Sequence, residues 1–163
     1  MFFQAVITVI HILSAVVWLG YVPSDIVLRR QINNSRGTSG EKNLISSYLI
    51  LTNVAGIIGM SGLLFTGIIL VSVIPYYFFF NFASNHWLAA KQVIMVVLII
   101  LVFAFLIPKA KKLRTTLNNE KLSKMPLSDQ AHRDLKNLET IISIIDVLVL
   151  LNFLFAVTHR FLT

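Results

Sequence analysis

Between Asn43 and Ala90 the chain carries no Asp, Glu, Lys or Arg. A charge-free run of that length has no solvated face to offer a water-soluble fold, and it places the chain in a lipid bilayer. Crossing about 30 Å of hydrocarbon takes roughly 20 helical residues. Four stretches meet that requirement, at about residues 3–23, 44–74, 87–107 and 138–158. Backbone amides in hydrocarbon must be satisfied within the segment or within a closed barrel. These stretches are apolar on all faces and do not alternate, so they are helices and not barrel strands.

The expected fold is an all-α, up-down bundle of four transmembrane helices forming a single membrane domain over 1–163. Loops 24–43 and 108–137 are too short for a further domain. The formal charge of +7 would point a soluble protein toward nucleic acid, but here its location explains it. Arg29, Arg30, Arg36 and Lys42 lie in the first loop, and eight more basic residues, Lys109 to Lys136, lie in the second. By the positive-inside rule both loops are cytoplasmic and both termini are outside. The first basic residue follows the first apolar stretch instead of preceding it, so that stretch reads as a retained span and not a signal peptide. With no cysteine, disulfides, iron–sulfur clusters and thiolate metal sites are excluded.

The second span carries Ala55, Gly56, Gly59, Ser61, Gly62, Thr66 and Gly67, a face of small residues that lets helices approach closely. Its length predicts a tilt, a kink near Gly59–Gly62 or an outward projection. After Pro75, the aromatic run 76–82 is unlike an ordinary loop. It and the small-residue face are the expected contacts for a protein partner or self-association. In the second loop, the third helix is expected to continue to about Asn119, break at Met125-Pro126 and give way to a new helix capped by Ser128.

Polar side chains at depth are candidates for function because they are costly there. His11 stands about 12 Å in from the first span's outer end, with Ser14, Trp18 and Asp25 on the same stripe. Lys91 lies about 6 Å below Trp87 on the third span, at a depth comparable to His11. An imidazole and an amine at one level suit an axial ligand pair, or a cation that meets an acidic substituent. Equally, His11 can serve as a hydrogen-bonding packing residue and Lys91 can snorkel to the headgroups. His86 is an alternative ligand nearer the boundary, while Asn152 and His159 share the outward half of the last helix. Asp146, about 12 Å in from Leu138, is expected to be protonated or to pair with Thr52, Asn53 or a basic loop residue.

The stretch His11-Ile-Leu-Ser-Ala-Val-Val-Trp18-Leu-Gly20 resembles the first-helix signature of small bacterial membrane proteins that include the HemJ-type protoporphyrinogen oxidases and CopD-type domains. Trp87-Leu-Ala-Ala-Lys91 is similar to the Trp-Leu-x-x-Lys of their third helix. The resemblance implies the bacterial cytoplasmic membrane, a haem b held by His11 and Lys91 with Trp18 and Trp87 packed around it, and a redox or haem-related role, while Asn152 is expected on a second wall of the same pocket from its place on the last helix. In one version that role is oxidation of protoporphyrinogen. Phe105-Leu-Ile-Pro108 stands where that family carries Tyr-His, a departure that touches the oxidase chemistry more than the fold. A rival reading without a cofactor is an accessory subunit of a larger membrane complex.

Overall fold

The computed structural model describes residues 2–121 and 126–162, with the side chains of Lys121 and of residues 159–162 left aside. The four expected spans are four helices long and apolar enough to cross a membrane, and the chain is a multi-pass membrane protein. They are α1 (Phe2–Asn34), α2 (Glu41–Val73), α3 (His86–Glu120) and α4 (Asp129–Leu162). All four helices are longer than a perpendicular crossing needs, and the excess lies at the end that carries the basic residues. The opposite end, with residues 74–85 joining α2 to α3, is the connector end.

Helix α1 does not stop at Pro23 but runs on to Asn34, so the first loop shrinks to residues 35–40. A proline in a helix removes one N–H bond and crowds the carbonyl four residues earlier. Here the continuation is held by tertiary contact, since Asp25 and Ile32, both on the far side of Pro23, are 2% exposed. The sequence expectation overlooked this because the proline signal is local and the compensation is not.

Two π-helical turns interrupt the spans, Gly56–Ser61 in α2 and Leu101–Leu106 in α3. The first falls where the expected kink was placed. The second ends two residues before Pro108, and a proline ring crowds the carbonyl four residues earlier, here that of Ala104 within the wider turn. Both turns border one apolar cluster built on Trp18, Met60, Leu98, Ile145 and Val149.

The small-residue face of α2 packs on α1, as expected of it. A Cβ at Gly59 would lie 2.7 Å from Trp18 Cβ, and one at Gly62 would lie 2.1 Å from Ser14 Oγ and 2.8 Å from its Cβ. Only glycine permits that approach. Around the bundle, α1 packs on α2 and α4, and α3 packs on α4. Helices α2 and α3 meet through Glu41–Ala55 and Ile107–Lys121, at the basic end. Their connector-end segments, 62–73 and 86–100, pack instead on α1 and on α4 respectively. The bundle is therefore closed at the basic end, around Tyr48, Leu113, Leu138 and Ile142, and parted into two helix pairs toward the connector.

The restart of α4 follows the expected chemistry. Ser128 Oγ accepts the Ala131 N–H at 3.3 Å, and Glu120 receives both the Ser128 N–H at 3.1 Å and its hydroxyl at 2.6 Å. Met125, one half of the expected break, lies outside the described residues.

Candidate functional site in the membrane

The stripe read along α1 places its polar groups in two separate environments, one on each side of the Trp18 cluster. Toward the connector, His11 on α1 reaches Thr66 on α2, with Nδ1 2.7 Å from Oγ1. Thr66 gives its single hydroxyl proton to the Gly62 carbonyl one turn earlier. Its oxygen can then only accept, so Nδ1 of His11 carries the ring proton and Nε2 keeps the lone pair. A second contact that fixes the tautomer in this way is what an imidazole ligand requires. Gly67 lies beside the ring, where a Cβ would be 3.6 Å from Cε1, an ordinary contact.

Lys91 is partly buried on α3, with Nζ 5.8 Å from the Trp87 ring centroid in cation–π geometry. Trp87 in turn meets the edge of Tyr77 at 5.8 Å between centroids. The Lys91 charge, on a different helix, is close enough to act electrostatically on His11. The link is electrostatic, without a direct hydrogen bond among the described residues. Asn152 on α4 has a buried Oδ1 with no hydrogen-bond partner. Trp18 is 4% exposed in the apolar cluster and packs against Gly59, between the His11 end of the stripe and its Asp25 end. His86, the first residue of α3, is exposed. The side chain of His159 lies outside the described residues. No group of three or more His, Cys, Asp or Glu among the described residues is placed to hold a metal ion.

On the basic side of Trp18 the stripe continues into a dense hydrogen-bonded network. Asp25 Oδ1 accepts the Tyr48 hydroxyl at 2.7 Å and Arg29 Nε at 2.9 Å, with the Tyr21 hydroxyl at 3.3 Å, while its Oδ2 is 2.7 Å from Arg29 Nη2. Tyr21 also lies 2.7 Å from Thr52 Oγ1, whose own proton goes to the Tyr48 carbonyl, so the single Tyr21 proton is divided between Thr52 and the longer contact to Asp25. Arg29 Nη1 then bridges to Ser143 Oγ on α4 at 2.7 Å. Three helices are tied by one carboxylate.

Asp146 joins the edge of this group. It is 7% exposed, it lies within reach of the Asp25 and Arg29 charges, and its Oδ1 has no hydrogen-bond partner. A basic loop residue was among its expected partners, and Arg29 is such a residue by sequence, although it stands on α1. The Asp25 carboxylate as neighbour was not foreseen. Nor were the roles of Tyr21, Tyr48 and Glu41. Glu41 is 1% exposed, receives the Gly37 N–H at 2.8 Å and meets His132 Nε2 at 2.7 Å, fastening the short first loop to α4. An Asp-x-x-x-Arg spacing at residues 25 and 29 was the available signal, and it was masked by the proline that seemed to end the helix. Comparison of the chain with family models, curated proteins and solved structures finds no match in any of the three.

Proposed function

We propose that this multi-pass protein belongs to a bacterial cytoplasmic membrane, with both termini and the connector outside, and that it holds a haem b or related porphyrin in its outer half. His11 would hold the iron through Nε2. Lys91 is the second ligand or the cation that meets a propionate, Trp87 positions the Lys91 stem, and the unpaired Asn152 oxygen offers a further polar contact. The observation that carries this reading is the His11–Thr66–Gly62 relay, which leaves Nε2 as the lone-pair nitrogen. The parting of α2 from α3 toward the connector supports it, because a planar macrocycle needs helices that are not already packed on one another.

When bound, haem supplies one-electron chemistry at a potential set by its axial ligands and surroundings. The chain's own residues contribute orientation through Thr66, a positive charge through Lys91 and, through the Trp18 cluster, an apolar floor that separates the site from the ionic network below. The visible spectrum of the detergent-purified protein, oxidised and dithionite-reduced, tests the reading. A Soret band that is lost in His11→Ala is expected, and a colourless protein after expression with added haem precursor overturns it.

A second reading, an accessory subunit without a cofactor, draws on the connector. Gln92 receives the Phe80 N–H and donates to the Phe78 carbonyl at 3.4 Å, and Asn85 donates to the Tyr76 carbonyl at 2.7 Å, so exposed Phe78, Phe79, Phe80 and Phe82 are presented on a pinned loop. Co-migration of a partner on native gels, together with the absence of a Soret band, would select it.

A further inference from the structure

Two clefts open at the basic end, and their linings differ in charge balance. In the larger one, Arg36, Arg133 and Lys136 share the walls with Glu41, Asp129 and Glu139, and the Glu41–His132 pair spans it. Its positive and negative groups offset one another. The smaller one, about 170 Å³, lies between the start of α2 and the basic end of α3. Lys42, Ser46, Arg114 and Asn118 line its polar part, and Leu49, Ile50 and Leu117 line the rest. No acid lines it.

Two donors of this smaller cleft, Arg114 and Ser46, have no partner among the described residues. Arg114 makes no hydrogen bond or ion pair among the described residues. Ser46 keeps its hydroxyl free, whereas Thr52 on the same helix returns its own to the carbonyl one turn back. Lys42 donates to the Glu120 carbonyl at 2.6 Å, so it is anchored at the cleft's edge, and the Glu120 carboxylate is engaged by Ser128. Asn118 is exposed at the rim.

The cleft's position sets the kind of occupant. Lys42 and Ser46 lie within the first two turns of α2, and Leu49 and Ile50 lie one turn farther into the charge-free run. Ile50 is 59% exposed, so the apolar wall opens sideways into the hydrocarbon and not into the bundle. An occupant must therefore present several acceptor oxygens at the membrane boundary and an apolar chain alongside Ile50. A guanidinium suits phosphate oxygens because its fork matches them.

We propose that this cleft binds the phosphodiester headgroup of an anionic membrane lipid. Arg114 is the principal anion contact, Ser46 and Asn118 are neutral donors, Lys42 adds charge from the edge, and Ile50 lies against the acyl chain. The site is separate from the His11–Lys91 region and stands whether or not a porphyrin is bound there.

Native mass spectrometry of the full-length protein, released from detergent with added lipid, tests it. Phosphatidylglycerol should be retained at least about fivefold more strongly than phosphatidylcholine, and Arg114→Gln should remove that preference. Ser46→Ala, whose hydroxyl holds no part of the fold, should weaken retention by about twofold. Arg133→Gln, in the charge-balanced cleft, should leave it unchanged. Equal retention of the two lipids, wild-type retention by both Arg114→Gln and Ser46→Ala, or an equal loss in Arg133→Gln would overturn the site. Displacement of phosphatidylglycerol by equimolar inorganic phosphate or glycerol phosphate would overturn the lipid as its source, since a free phosphate would then suffice.

Discussion

At the basic end, Asp25 takes hydrogen bonds from Tyr48 and Arg29 and an ion pair besides, whereas at the connector end His11 has one side-chain partner and Lys91 rests on a tryptophan face. Both regions bury costly groups within the membrane-spanning helices. One ties three helices together through the chain's own donors, with an Asp146 oxygen left unpaired at its edge, and the other has few internal bonds and leaves a ring nitrogen and an Asn152 oxygen unspent. A buried network that is densely bonded fixes helix positions and has little capacity left for a ligand. A sparsely bonded polar site retains that capacity. The helix packing follows the same division, closed where the network is dense and parted where it is not.

The largest expected effect breaks the densely bonded side. Asp25→Ala strands the Arg29 guanidinium and the Tyr48 hydroxyl, and removing one partner of a buried pair costs about 3–5 kcal/mol. Thermal unfolding in detergent should show it, and a wild-type midpoint would mean that the network does not hold the bundle. Gly59→Ala and Gly62→Ala come next, each costing about 1–3 kcal/mol, because the added methyl meets Trp18 or Ser14 and α1 must move away from α2. Chemical denaturation of the two variants measures this, and a neutral result would contradict the close approach of the helices.

Asp146→Asn sharpens the comparison within the inner network. Its carboxyl has an unpaired oxygen and faces another carboxylate, so removing the charge should leave stability unchanged or raise it by up to about 1 kcal/mol, opposite in sign to Asp25→Ala. A large loss would mean that the Asp146–Asp25 contact holds the bundle together. Thr66→Val has the smallest expected effect on folding, below ~1 kcal/mol for a single interhelical hydrogen bond in a membrane. It should nonetheless shift or broaden the Soret band, because the His11 tautomer is no longer set. An unchanged spectrum in a haem-bound variant would separate Thr66 from the ligand.

Much of the architecture was legible along the chain. The 43–90 run, the small residues of α2 and the Ser128 cap each depend on neighbours a few residues away, and each appears as expected. His11 and Lys91 were legible as costly residues at similar depth, which needs only helical rise. Asn33 as the approach to the true end of α1 was not legible, because Pro23 is a strong local stop signal and what carries the helix past it is burial of Asp25 and Ile32 by other helices. The Glu41–His132 pair was equally hidden, since its members are separated by 91 positions and no spacing rule joins them.

The sequence by itself determined that the chain enters a membrane as four helices, because unpaired amides in hydrocarbon leave no other option and the apolar runs are long enough to cross. Only the tertiary structure decided how those helices use their polar stripe. Which hydroxyl meets which carboxylate, and which imidazole nitrogen stays free, depends on the rotation and spacing of neighbouring helices, and those are set where glycine lets α1 and α2 touch.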